Sequence, residues 1–167
     1  MKKTMMAVTA LVGATALFAA SETAFPADFK SYPSASTPLT AIGALPGCEA
    51  DVSSLPKIYQ ETVSTYCNIK PGGPGAVDVT VEAAAMDTYK KRNGKFADGD
   101  VLILWLKDIK AIFVTEYKGG KPLYGVFTED GQDIAGADGS GLSPNDCRTC
   151  HTGYEAFCIN GQCGTFK

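Results

Sequence analysis

One tryptophan and one histidine occur among the 167 residues, and the histidine is His151. A single imidazole excludes multi-histidine zinc sites, carboxylate-bridged histidine clusters and bis-histidine haem within one chain. Positive charge is not in excess: 15 Lys and Arg stand against 18 Asp and Glu, a formal charge of −3, so neither nucleic acid nor an anionic membrane has an electrostatic footprint to bind. No internal repeat is present, and the only long apolar run is residues 5–20. What the chain does have is a 45% hydrophobic fraction, enough to build a core, and a length that suits one domain better than two.

The start of the chain bears on the compartment. Lys2 and Lys3 precede the apolar run, and small residues at Ala19 and Ser21 follow it, the pattern of a secretory signal peptide over residues 1–21. Its removal takes two lysines and no acid, so the charge falls from −3 to −5. The expected mature protein is acidic, periplasmic or secreted, and free of any membrane anchor. In an oxidising compartment the six cysteines are expected to be committed rather than idle.

Residues 22–47 carry four prolines without sustained periodicity and read as an extended lead-in, leaving residues 48–167 as the folded domain. Leu55, Ile58, Tyr59, Thr62, Val63 and Tyr66 recur at helical spacing, with Pro56 in the first turn and an end near Asn68. After the break at residues 71–75, Val77, Val79 and Val81 alternate with polar residues as in a half-buried strand. A short helix over residues 82–92 follows, closed by Asn93-Gly94. Residues 101–106, VLILWL, are apolar at both parities and predict a central strand covered on both faces. Residues 111–117 and 122–128 predict its neighbours, turning at Gly119-Gly120, and the Gly- and Asp-rich residues 131–141 predict a loop. Asp130, Asp133 and Asp138 miss the spacing of a calcium loop. Ser143-Pro144-Asn145-Asp146 then reads as an N-cap, a proline at the first helical position and an acid in the first turn.

That helix opens directly onto Cys147-Arg148-Thr149-Cys150-His151, the C-x-x-C-H attachment signature of c-type haem. One helical turn brings both thiols within reach of the two porphyrin vinyl groups, where they add as thioethers, and the adjacent imidazole meets the iron as axial ligand. The expected cofactor is thus one covalent haem c, held by Cys147 and Cys150 with His151 on the metal. A dithiol redox pair would normally follow a strand opening a βαβ unit, which is lacking, and zinc would need more ligands than one histidine and scattered cysteines supply. The other cysteines read as staples. Of three connectivities, the local one pairs Cys48 with Cys67 and Cys158 with Cys163, the first loop contributing about 3 kcal/mol on the chain-entropy model. A labile regulatory bond at Cys158–Cys163 is the alternative.

With no second histidine, the sixth iron position falls to Met86, a Lys, a Tyr, the new N-terminus or nothing. Met86 lies in a predicted helix, where methionine commonly packs in the core, so an open iron is the leading expectation. Leu102, Leu104 and Leu106 form one apolar face of the central strand, fit to line a haem pocket while Val101, Ile103 and Trp105 meet a helix behind. Leu104 and Phe113 are the candidate pocket residues; no carboxylate is assigned to proton transfer, and Glu116, the nearest candidate, reads first as a surface residue. Lys90-Lys91-Arg92, with Lys95, could dock an acidic redox partner or be a solvated helix end.

The C-terminal haem motif rules out the usual small cytochrome c, whose motif is near the start with a methionine downstream, and the sheet-like alternation rules out the four-helix c′ type. Together with Tyr89-Lys90-Lys91 leading through Gly94 to Phe96-Ala97-Asp98-Gly99-Asp100-Val101, a passage of the form F-x-D-G-x-V, the chain resembles the cytochrome c′-beta family, whose catalytic branch is cytochrome P-460. The resemblance covers roughly Val77 to His151. It implies an α+β fold, a mostly antiparallel sheet packed with helices, with haem between the sheet and the C-terminal motif helix. In the hydroxylamine-oxidising branch a strand lysine bonds the porphyrin; the position equivalent by ungapped count is Leu104, and Lys107 has the opposite parity. The resemblance therefore points to the gas-binding branch. Reversible NO or CO capture, with or without slow electron transfer, is the first expectation; oxidation of hydroxylamine or NO, and plain electron transfer with Met86 on the iron, are the alternatives. A small gaseous or nitrogenous ligand is implied, and a redox partner protein and a homodimer stay open.

Overall fold

Alternating apolar and polar residues make strands where the pattern predicts them. In a computed structural model, which describes residues 20–73, 75–136, 142–153, 155 and 158–163, β1 (Val77–Val81), β2 (Val101–Leu106), β3 (Ala111–Lys118) and β4 (Lys121–Thr128) form an antiparallel meander in sequence order. Gly119 and Gly120 adopt φ of 59° and 71°, the doubly positive turn that suits the twist of a two-residue hairpin, and this sets Phe113 opposite Val126 and Thr115 opposite Tyr124. In β2, Leu104 pairs with Val79 on one side and Phe113 on the other, so these three share a face. The protein is α+β, as expected: the sheet packs with α1 (Pro38–Ile42), α2 (Lys57–Ile69), α3 (Met86–Lys91) and α4 (Pro144–Gly153), and a hairpin of β5 (Cys158–Ile159) and β6 (Gln162–Cys163) follows. The leader and Asp138 fall outside the described residues, except for Ala20 and Ser21. Among the described residues no helix is long and apolar enough to cross a membrane.

Residues 22–47 depart from the extended reading. They contain a 3-10 turn at Phe29–Ser31 and the capped helix α1, and they form the second layer of the fold. Phe29, 1% exposed, packs with Ile103, Ile112, Val114 and Phe127, flanked by Phe25, Tyr32 and Trp105. The odd-numbered face of β2 is thus covered by the lead-in, where a helix was expected. The same segment closes both sheet edges. Ala35 N–H donates to the Val79 carbonyl and Val81 N–H to the Pro33 carbonyl along β1, while Glu22 N–H donates to the Tyr124 carbonyl along β4. Gly125 permits that last approach, since a Cβ there would lie 2.2 Å from Thr23 Oγ1.

On the other face, Leu45, Val63, Tyr66, Val77 and Leu106 form a core under α2, fastened by the Cys48–Cys67 disulfide and by the Tyr66 hydroxyl donating to the Pro46 carbonyl. α3 ends one residue before Asn93-Gly94. Arg92 takes the left-handed conformation, φ 52°, with its guanidinium donating to the Cys163 carbonyl at 2.9 Å. A tertiary hydrogen bond thereby holds a non-glycine residue in a position that usually favours glycine.

If the lead-in is a layer of the core, Phe29→Ala should cost about 3–5 kcal/mol. Urea unfolding measures it; a surface strap would give a change within about 0.5 kcal/mol.

Candidate functional site

The C-x-x-C-H motif starts where the local chemistry starts a helix. Ser143 Oγ accepts from Asp146 N–H at 3.2 Å, the Ser143 N–H donates to Asp146 Oδ2 at 3.0 Å, and Pro144 occupies the first turn, where its missing N–H costs nothing. From this start Cys147, Cys150 and His151 stand at i, i+3 and i+4, on one face of α4. The helix docks on β4 and β5. Arg148, on another side, pairs with Glu22 at 2.5 Å and lies over the Tyr124 ring at 5.4 Å. The Tyr124 ring in turn sits 5.3 Å from that of His151.

The three motif side chains look into a cavity of about 360 Å³ between the sheet, α2, α4 and the β5–β6 hairpin, a volume in the range of small-molecule and cofactor sites. Leu102, Leu104 and Leu106 of β2 and Phe113 and Thr115 of β3 form its floor. Leu104 and Phe113 are therefore both in the cavity wall, directly opposite each other in register.

His151 is oriented from behind. Its Nδ1–H donates to the Gly161 carbonyl at 2.8 Å, and Cys163 Sγ lies 3.5 Å from the same nitrogen. Burial lowers the imidazole pKa below the usual 6.5, partly opposed by the bond to Gly161, so the ring is neutral at pH 7. With Nδ1 carrying the proton, Nε2 has the lone pair that a metal needs.

Cys48 bonds Cys67 and Cys158 bonds Cys163, whereas Cys147 and Cys150 are free thiols. Burial, reinforced by the charge of Asp146, pushes Cys147 up to about 11; burial and then Glu61 raise Cys150. A redox or nucleophilic dithiol needs a lowered pKa and a positive neighbourhood, the opposite of this environment. Among the described residues no three His, Cys, Asp or Glu side chains gather as a chelating cluster. Two neutral thiols one turn apart beside a neutral imidazole, facing apolar walls, are a donor set that fits a flat, apolar macrocycle with vinyl arms and a central metal.

Two other candidates lie elsewhere. Met86 packs against the cluster of Ala85, Tyr89 and Leu102; Tyr89 and Leu102 line the cavity, and Met86 does not. Glu116 pairs with Val101 and Leu123 on the face turned away from the cavity, which leaves it no part in proton transfer there. The carboxylates that do line the cavity are Glu61 and Asp146, Glu61 also pairing with Lys57 at 2.8 Å. Lys107 follows β2 on the opposite side from Leu104, its ammonium 3.2 Å from Asp78 and 4.9 Å from the Trp105 ring centre. The lining residue Tyr124 was within reach of the sequence, because the two-residue turn at Gly119-Gly120 sets it opposite Thr115.

Removing the cap by Ser143→Ala should destabilise the protein by about 1 kcal/mol through α4, read in a denaturant melt. Comparison with protein-family models, with curated proteins and with solved structures finds no match for this chain.

Proposed function

We propose that this chain is an exported monohaem c-type cytochrome of cytochrome c′-beta/P-460 type that binds small neutral molecules such as NO or CO at an open iron face. One observation carries the reading. Of six cysteines, the two left unpaired are those one turn apart on the face of α4 that bears the sole histidine and looks into an apolar chamber.

In this reading Cys147 and Cys150 tether haem c through thioethers, and His151 Nε2 ligates the iron. When bound, the haem supplies a metal able to coordinate a diatomic ligand. The chain's own part is to hold and to exclude. Leu102, Leu104, Leu106 and Phe113 disfavour an anion in the chamber, because it would lose hydration against them and meet the carboxylates Glu61 and Asp146 elsewhere in the lining. Met86 packs against a cluster that shares Tyr89 and Leu102 with the cavity but does not itself line it, which favours an open iron over a methionine-ligated electron carrier. The position of Lys107 against Asp78 and Trp105 favours ligand binding over the lysine-cross-linked, hydroxylamine-oxidising chemistry of the family's catalytic branch. Two disulfides suit an oxidising compartment, and with the N-terminal leader pattern they support a periplasmic or secreted location.

The test is export in a host that matures c-type cytochromes, followed by intact-mass measurement and visible spectra. The expected result is one covalent haem, lost in Cys147→Ala/Cys150→Ala, with a ferrous high-spin spectrum that changes on adding CO and is unaltered by Met86→Ala. Absence of covalent haem overturns the reading. A low-spin ferrous spectrum indifferent to CO overturns the open iron face.

A further inference from the structure

The hairpin that follows the motif has no part in tethering haem, yet it makes the contact that orients the motif's histidine. β5 and β6 are two residues each, too short to persist by their own ladder. Three features hold them. The Cys158–Cys163 bond joins the register pair at the hairpin's open end. Asn160 and Gly161, at φ 46° and 83°, form the tight turn. Hydrogen bonds then moor the turn to elements distant in sequence. Asn160 Nδ2 donates to the carbonyls of Gly94 at 2.9 Å and Gly120 at 3.1 Å, the Tyr117 hydroxyl donates to the Asn160 carbonyl at 2.8 Å, and Gln162 Nε2 donates to the Tyr89 carbonyl at 2.6 Å. Gly161 itself has no room to move toward the sheet, since a Cβ there would lie 3.0 Å from Pro122 and 3.2 Å from the Tyr124 hydroxyl.

We propose that this disulfide-closed hairpin is the positioning element for His151: the Gly161 carbonyl fixes the imidazole's tautomer and ring plane, and the Cys158–Cys163 bond keeps that carbonyl in place. α4 carries the imidazole, but α4 offers no acceptor to Nδ1; the acceptor comes ten residues later from a separately anchored seat, with Cys163 Sγ closing the other side at 3.5 Å. A hydrogen bond from the remote nitrogen of a ligating histidine raises its donor strength and sets its rotation. The inference rests on the haem reading for its consequence at the metal. The contact itself belongs to the chain with or without haem.

Because His151 is the only histidine, 15N-histidine labelling of the exported protein reports on one residue. A slowly exchanging Nδ1 proton is expected in the parent and in Cys48→Ala/Cys67→Ala, which removes the other disulfide. It should be lost in Cys158→Ala/Cys163→Ala and in Asn160→Gly. The latter keeps both disulfides and a residue content with positive φ and removes only the two Asn160 side-chain moorings; if the double variant does not fold, reduction of Cys158–Cys163 in the folded Cys48→Ala/Cys67→Ala protein tests the bond in its place. In the ferrous haem protein the iron–histidine stretching band, read by resonance Raman, should shift to lower frequency in the same variants. Retention of both signals in Asn160→Gly and in a folded double variant, or in the reduced protein that replaces it, overturns the proposal. A chain without haem that keeps the protected Nδ1 proton, and loses it in those variants, overturns the cytochrome reading and leaves this one standing.

Discussion

A four-stranded sheet with apolar side chains on both faces has to be covered twice, and the unequal way this chain meets that demand determines the rest of the molecule. Behind the sheet, Phe25, Phe29 and Tyr32 lie against Ile103, Ile112, Val114 and Phe127, with rings of Phe29 and Trp105 edge to face at 5.1 Å. That side is filled. In front, α2 covers Val77 and Leu106 at one end and α4 covers Val126 at the other, and between them Leu104 and Phe113 face a cavity. Apolar walls around an open volume give up dispersion contacts that a filled core would make. The front of the sheet thus keeps a space that the back does not, and among the described residues the free thiols and the imidazole that line it belong to the C-x-x-C-H helix.

Placing that helix takes polar interactions, because its own sequence is poorly apolar. The Ser143 and Asp146 cap begins it, Arg148 ties it to Glu22 from the first described turn of the chain, and His151 is seated on Gly161. Two of these partners, Glu22 and Gly161, come from far apart in the sequence, and both lie against β4. The lead-in is then more than a cover for the sheet: the segment that lines the edge of β4 also holds the motif helix in register with the cavity.

Much of this was legible in sequence where a short-range period carries the signal. β1 and β2 were read with the boundaries they have, and β3 and β4 to within one residue, because alternation is imposed residue by residue by the pleat. The start of α4 was equally local, being a matter of caps. The lead-in was misread for the converse reason. Phe25, Phe29 and Tyr32 stand at i, i+4 and i+7, but Pro26 and Pro33 break that helical spacing into single turns and do not say what the turns pack against. Parity also decides between the two readings of Glu116. Phe113 and Glu116 are three apart on one strand and must point to opposite faces, so choosing Phe113 for the cavity already placed Glu116 behind it. The cavity carboxylate Glu61 was beyond reach, since nothing in the spacing of α2 says which of its turns will overhang the sheet.

Cysteine use divides along the same line between local and long-range needs. Cys48–Cys67 ties the loop before α2 to the helix's last turn, beside the Tyr66 hydroxyl bond to Pro46, and so steadies one wall of the cavity. Cys158–Cys163 closes a hairpin whose ladder is too short to stand by itself and whose carbonyl is the acceptor for His151. Both staples thus hold an element that borders the cavity, one on a wall and one behind the imidazole. The two thiols left over are protonated, one helical turn apart, and turned inward. With every other cysteine committed to structure, that placement leaves the pair available for the tethering role proposed above.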